Sequence, residues 1–149
     1  MARPSIFDFA GGRPAFVALA AALHERCLDD PVLNHPFSHA LSPDHLDHLA
    51  DYLGEVFGGP PIYSAFGGHT TMLAVHASTG ADQDMAGRFL ICFDLAVADA
   101  GLPEDATFRQ VLHDYMAWAT DDVNDYSPIG SVVPEALAFP HWSWGGPSV

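Results

Sequence analysis

The chain has 149 residues, of which 49% are hydrophobic and 16% charged, so it is large and apolar enough to fold as one domain around its own core. Nineteen acidic residues face five arginines and no lysine, which gives a formal net charge of −14. This charge repels phosphates and anionic lipid headgroups, and it therefore argues against nucleic-acid or membrane-surface binding. No run of roughly 18–20 apolar residues and no signal-peptide pattern is present, so we expect a cytoplasmic protein.

A first long helix is predicted over residues 14–29. Its apolar residues recur at steps of three and four, as on one face of an α-helix, and we expect the helix to end before Asp30-Pro31. These apolar residues are Phe16, Leu19, Ala20, Leu23 and Cys27. Residues 31–41 follow as a predicted loop whose one large apolar side chain is Phe37.

A second helix is predicted to begin at Ser42, with Pro43 in its first turn, and to end at the glycine-proline break of residues 58–61. Its apolar face is formed by Leu46, Leu49, Leu53, Val56 and Phe57. A short apolar segment follows the break and ends at His76.

Two further helices complete the pattern. The longest apolar helix ends at Gly101, and its buried face is Met85, Phe89, Cys92, Phe93 and Ala96. The last helix starts at residues 102–104 and runs to about Asn124, with a buried side made of Phe108, Val111, Leu112, Tyr115, Met116 and Trp118. Since no strand alternation or repeat is found, four or five helices predict an all-α domain. The two cysteines, Cys27 and Cys92, are expected to be small buried hydrophobic residues.

The segment from Phe57 to His76, FGGPPIYSAFGGHTTMLAVH, carries the most informative pattern. An aromatic-Gly-Gly-Pro break followed by Tyr-Ser and Gly-His resembles the signature of truncated globins of the second group, and the likeness covers roughly Phe7 to Asn124. The resemblance implies a two-over-two helical sandwich, a haem domain over residues 1–124, and His76 as the proximal ligand to the iron of haem b. Without this context, a lone histidine on an apolar segment is more often a core residue bonded to backbone.

The resemblance also places the side of the pocket that faces a bound ligand. His24 stands where the family usually has a tyrosine, and His45 stands at the gate position. The other residues that the resemblance and the apolar stripes assign to the pocket are Phe37, Leu49, Leu53, Met72 and Phe89. Because the usual phenol and indole donors are missing, His24 and His45 could hold oxygen, act as acid or base toward a peroxide, or bind the iron themselves. The alternative for each is a surface histidine on an acidic helix, and it suits His45, beside Asp44 and Asp47, better than His24, which follows Leu23 on a buried helix.

The edge of the implied haem lacks its usual partners. The family has arginines just before the proximal histidine, where this chain has Leu73 and Val75. The remaining candidates for the two haem propionates are Tyr63, Ser64 and His69. A separate motif, the two histidines at positions 45 and 48, could seat a metal, although a solvated acidic helix face explains it as well.

Residues 125–149 lie beyond the resemblance and form a tail rich in proline, glycine and aromatic residues. Its apolar side chains would be costly to leave in water: Val132, Val133, Leu137, Phe139, Trp142 and Trp144. We predict that this C-terminal extension packs on the domain or on a partner chain. The segment from His141 to Trp144 could close over a cofactor edge, fill a packing patch or form a dimer contact.

The function implied by the resemblance is binding and redox handling of small diatomic ligands, such as oxygen or nitric oxide, at a histidine-ligated iron. A rival reading is a haem-dependent peroxidase or oxygenase that acts on an organic substrate, because Phe89 replaces a bulkier tryptophan and distal histidines suit proton transfer. A third reading is a haem-free globin fold that serves as an interaction module. The expected partners are a diatomic gas, a reductase and a second copy of the chain as a homodimer, with no nucleic acid and no membrane.

Overall fold

The computed structural model describes residues 3–34, 44–77, 80 and 82–148. Within these ranges the predicted all-α class is confirmed, and the only strands form one antiparallel two-residue pair near the C-terminus. The elements in chain order are α1 (Ile6–Ala10), α2 (Arg13–Asp29), α3 (His45–Val56), α4 (Ile62–Phe66), α5 (Gly68–His76), α6 (Gln83–Asp99), α7 (Ala106–Asp125), β1 (Trp142–Ser143) and β2 (Gly146–Pro147).

The four long helices follow the predicted apolar spacing, and their ends differ by a few residues. The last one, α7, begins at Ala106 rather than at residues 102–104, because the Asp105 carboxylate caps it by accepting the Phe108 N–H at 2.8 Å. The predicted start of the second helix at Ser42 and Pro43 lies outside the described residues. The short helix α1 is absent from the sequence prediction, since five residues are too few to show a period.

Helix α2 lies at the centre of the domain and packs against both α3 and α6, while α6 also packs against α7. Its fully buried face carries the residues expected from the sequence, including Phe16 and Leu23. A two-point ion pair ties α2 to α6, with Arg26 Nε and Nη2 at 2.6 Å and 2.9 Å from the Asp99 carboxylate. The predicted burial of Cys27 and Cys92 is confirmed, and both thiols are free. Helices from distant parts of the sequence thus share one core.

The glycine-proline break after α3 owes its composition to close packing. A Cβ atom on Gly59 would lie 2.7 Å from the Phe7 ring and 2.8 Å from the Gly54 carbonyl oxygen, so no side chain fits there. Gly58 adopts a φ of +100°, in the region that favours glycine. The Phe7 N–H also donates to the Phe57 carbonyl at 2.9 Å, which fixes α1 against the end of α3.

Two predictions about burial are wrong. Trp118 is predicted on the buried side of α7, yet its side chain is 40% exposed. It lies beside the buried face, where Tyr115 and Ala119 take the positions that point into the core. Val132 is predicted to be covered, yet it is 83% exposed. No helix in the described part of the chain combines the length and apolar character needed to cross a bilayer.

The segment after α7 lies along the helical body. Trp142 is buried and meets the Tyr115 ring edge-on, with the ring centroids 5.6 Å apart. Trp144 donates its indole N–H to the Pro4 carbonyl at 2.8 Å, across 140 residues of sequence. The extension also meets α5, where Thr70 bonds Pro134 and Leu137, so it packs on several parts of the domain.

Candidate functional site

His76 is the last residue of α5, and its side chain is exposed, so it is not a core residue. Its Nδ1 lies 2.8 Å from the Met72 carbonyl oxygen, one helical turn earlier. In the neutral imidazole this Nδ1 donates its proton to the carbonyl, which leaves the lone pair of Nε2 directed away from the helix. Leu73 on the same helix is buried. The ring is thus oriented as a metal-binding histidine is, with the second nitrogen held by backbone.

His24 on α2 and His45 on α3 lie side by side, with their ring centroids 6.2 Å apart and the ring planes at 60°. Burial lowers the pKa of His45 below its ordinary value, and the nearby His24, His76 and His48 lower it further. His45 is therefore neutral at neutral pH. His24 on α2 and His76 on α5 lie near enough to influence its pKa from two other helices. Three histidines from α2, α3 and α5 thus surround one region of the molecule.

The apolar residues assigned to the pocket divide between core and surface. Leu53 is fully buried, whereas Leu49, Met72 and Phe89 are half-buried and pack against the edge of the core. Val75, next to His76, is 72% exposed. An exposed valine beside half-buried apolar side chains is a surface that a flat apolar group would cover favourably. Phe37 lies outside the described residues.

The three candidates for haem propionates already have protein neighbours. Ser64 donates its backbone N–H to Glu55 Oε1 at 2.8 Å and its hydroxyl to Oε2 of the same carboxylate. Tyr63 is buried and packs edge-on against Tyr52, with the ring centroids 5.0 Å apart. Both ring nitrogens of His69 have partners as well. A propionate would have to displace one of these contacts or meet a group that the sequence analysis did not name.

A buried hydrogen-bonded chain links three helices around His69. The Tyr52 hydroxyl on α3 lies 2.8 Å from His69 Nδ1, and His69 Nε2 lies 2.8 Å from Asp122 Oδ2 on α7. The side chains of Tyr52 and His69 are 4% and 5% exposed. Asp122 and Glu55 could not be identified from the sequence, because Asp122 is 53 residues from His69 and Glu55 is separated from Ser64 by the glycine-proline break.

The histidine pair at positions 45 and 48 does not form a metal site with the described residues. The His48 ring stacks on Phe66, with the ring centroids 4.5 Å apart. In the ranges described, no three His, Cys, Asp or Glu side chains are arranged to hold a metal ion together.

Comparison with known proteins separates the helical domain from the C-terminal extension. A profile of the family described as bacterial-like globin matches residues 5–121. The hemoglobin of the thermophilic phototrophic bacterium Chloroflexus aurantiacus is 29% identical, with a TM-score of 0.70 over 81% of this chain and 98% of that one. The thermostable hemoglobin of the actinobacterium Thermobifida fusca is 28% identical, with a TM-score of 0.67 over 89% and 100%.

A group II truncated hemoglobin of Bacillus anthracis shares the fold at 18% identity, with a TM-score of 0.73 over 91% of this chain and 98% of that one. No curated protein sequence matches the chain. The family profile spans most of the domain and leaves the C-terminal extension outside. The chain belongs to the family of bacterial-like globins, and its fold is that of the group II truncated haemoglobins.

Proposed function

We propose that this globin holds haem b through His76 Nε2 and binds small diatomic ligands, such as oxygen or nitric oxide, on the side of His24 and His45. The observation that carries the proposal is the bond between His76 Nδ1 and the Met72 carbonyl, because it fixes the ring and leaves Nε2 for iron. A haem iron bound there would supply the coordination position that a diatomic ligand takes.

The residues around His76 fit such a group. The half-buried side chains of Met72 and Phe89, together with exposed Val75, offer apolar surface for a porphyrin. His45 is kept neutral by its lowered pKa, so it can donate one hydrogen bond or offer a lone pair without bringing charge into an apolar pocket. The similar proteins of C. aurantiacus and T. fusca are hemoglobins, which supports haem as the bound group. A cytoplasmic location, a reductase partner and a homodimer stay predictions.

The test is expression with a haem precursor, followed by absorbance in the porphyrin band. The wild type is expected to show the band, and His76→Gly is expected to lose it and to regain it on addition of imidazole, which replaces the missing ligand. His113→Ala is the matched control, because His113 bonds the exposed Asp94 carboxylate and is not among the residues assigned to the pocket, so the band should be unchanged. A wild type without a band, even after addition of hemin, would favour the haem-free interaction module instead.

A second candidate function is peroxidase chemistry, and the 6.2 Å spacing of the His24 and His45 rings favours it. A neutral histidine can take a proton from a peroxide and return it to the leaving oxygen, and a second histidine can steady the charge. Turnover of peroxide with a reductant should fall about a hundredfold or more in His24→Phe if His24 takes part in this transfer. Equal turnover in the two proteins would remove His24 from the chemistry.

A further inference from the structure

The buried chain of Tyr52, His69 and Asp122 has an order that fixes its protons. The Asp122 carboxylate only accepts hydrogen bonds, so His69 Nε2 donates to it at 2.8 Å. When the ring carries this single proton, its Nδ1 has a lone pair that can accept the hydrogen bond of the Tyr52 hydroxyl, 2.8 Å away. The Tyr52 phenol therefore donates to a basic nitrogen of His69, and the Asp122 carboxylate lies on the other side of that ring. The proposed iron site uses none of these three groups.

Burial keeps this phenol neutral in the resting protein. It raises the pKa of Tyr52 far above the ordinary value, so the hydroxyl does not ionise by itself. Removal of an electron from Tyr52 makes its hydroxyl strongly acidic, because an oxidised phenol gives its proton to any adjacent base. His69 Nδ1, 2.8 Å from the Tyr52 hydroxyl, can take this proton, and Asp122 would offset the resulting positive charge on His69.

Aromatic rings connect this buried group to the surface. The indole of Trp118 lies over the His69 ring, with the centroids 6.1 Å apart and the planes at 21°. Trp118 also lies 6.1 Å from the Tyr115 ring and 6.2 Å from the Trp142 ring. At 40% exposure, Trp118 is open to small molecules in solution. Tryptophan and tyrosine are the side chains that one-electron oxidants attack most readily, so the cluster offers a path for electrons.

We propose that Tyr52, His69 and Asp122 form a proton-coupled redox relay, through which electrons from a small phenolic reductant at Trp118 pass to a one-electron oxidant inside the protein. In the oxidising step Tyr52 loses one electron, its O–H bond breaks and a new N–H bond forms at His69 Nδ1. In the return step an electron arrives through Trp118 and the proton goes back to the Tyr52 oxygen. The reductant loses one electron and releases one proton to solvent in each cycle.

Haem bound at the proposed site would supply the oxidant by reducing a peroxide. The relay rests on the proposed function only for this source of oxidant. Each peroxide takes up two electrons and two protons and yields two waters, so two phenols are oxidised per peroxide. Tyr52 follows His45 by seven residues on α3, which places the two Cα atoms about 10 Å apart along the helix. The relay would thus transfer electrons from the surface indole of Trp118 to the oxidant in the pocket.

The relay is tested first without haem. The full chain is mixed with a photosensitiser that becomes a one-electron oxidant in solution after a laser flash, and the tyrosyl radical is followed by transient absorbance and electron paramagnetic resonance. We expect a tyrosyl radical in the wild type that forms more slowly in deuterated water, because a proton moves with the electron. Tyr52→Phe should lose this radical. Tyr126→Phe, at the C-terminal cap of α7 and outside the chain of Tyr52, His69 and Asp122, is the matched control and should keep it.

Two further variants separate a relay from a packing role. Asp122→Asn keeps the shape of the side chain but removes the charge behind His69, and it should slow radical formation about tenfold. Trp118→Phe should slow it as well, because the surface entry is lost. Circular dichroism of each variant shows whether it is folded. If Tyr52→Phe is not folded, the rate of radical formation in Asp122→Asn decides the test. An undiminished radical in Tyr52→Phe, or an unchanged rate in Asp122→Asn, would overturn the relay.

A second arm joins the relay to the iron site. Haem-loaded protein is frozen soon after addition of hydrogen peroxide, and the tyrosyl radical is measured together with the porphyrin band. We expect the radical in the wild type and its loss in Tyr52→Phe, with the band retained in both. If the chain binds no haem and still forms the photochemical radical at Tyr52, the proposed function fails and the relay stands. If haem binds and the radical appears elsewhere, the relay fails and the proposed function stands.

Discussion

Ser64 donates both its backbone N–H and its hydroxyl to the carboxylate of Glu55, which is 3% exposed. The pair spans the glycine-proline break, since Glu55 lies in the last turn of α3 and Ser64 lies within α4. A buried carboxylate is costly unless donors surround it. This contact therefore joins the two sides of the glycine-proline break, which precedes the helix that carries His76.

Removal of the Ser64 hydroxyl should destabilise the domain. Ser64→Ala leaves one oxygen of a buried carboxylate without its donor, so the free energy of unfolding should fall by about 1–3 kcal/mol. Urea unfolding followed by circular dichroism measures the change. Ser148→Ala is the matched control, because Ser148 is exposed and its bond to His141 is made by the backbone N–H. A loss of haem affinity without a loss of stability would instead assign Ser64 to a propionate.

Replacement of His45 should weaken the binding of oxygen. If the neutral imidazole donates one hydrogen bond to the ligand, His45→Leu removes about 1 kcal/mol and raises the oxygen dissociation rate roughly fivefold. Carbon monoxide, which is a weaker acceptor, should respond less. His48→Leu serves as the matched control, because His48 stacks on Phe66 rather than facing His24. A faster association rate in His45→Leu would show that His45 itself occupies the iron in the wild type.

The Arg26–Asp99 pair should give the stability a defined dependence on pH. The Arg26 guanidinium, through its hydrogen bonds, holds the pKa of Asp99 below the ordinary value. The unfolded chain then binds this proton more readily, so the pair stabilises the fold above about pH 3.9 and loses its effect as the pH falls through the folded-state pKa. Arg26→Gln should therefore be less stable than the wild type near neutral pH and should approach it in acid. A difference in unfolding free energy that stays constant with pH would contradict this assignment.

The buried thiols should resist alkylation. Burial raises the pKa of Cys27 to about 12, and it raises the pKa of Cys92 as well. At about pH 8 a thiol with a pKa of about 12 has roughly a thousandfold less thiolate than an exposed one, and the thiolate is the reactive form. Mass spectrometry after iodoacetamide treatment should show almost no label on the native chain and two labels in guanidinium. Rapid labelling of Cys27 in the native protein would show that α2 and α6 separate readily.

The long helices and their buried faces could be predicted because their signal is local. The apolar residues of α2, from Phe16 to Cys27, recur at helical spacing, and the break after α3 is written in consecutive glycines and prolines. Trp118 shows the limit of this reasoning. A tryptophan next to a buried face looks apolar in sequence, yet Ala119 occupies the core position and the indole covers His69 from outside.

The side-chain partners of the site could not be predicted, because they join residues far apart in sequence. Tyr52 and His69 are 17 residues apart, and Asp122 follows His69 by a further 53. No spacing rule links such positions. The family motif pointed to His69 as a propionate partner, whereas in the structure its Nε2 lies 2.8 Å from the Asp122 carboxylate on α7. The proximity of His24 and His45 was implied by the resemblance alone.

The contact between Trp144 and Pro4 has a consequence for synthesis on the ribosome. The carbonyl of Pro4 emerges first, and the indole that caps it emerges 140 residues later. Until Trp144 has been made, the ring of Phe9 also lacks its edge-on neighbour. The first turn of the domain can therefore gain this cover only after all the long helices have been synthesised, so docking of the extension follows formation of the helical body.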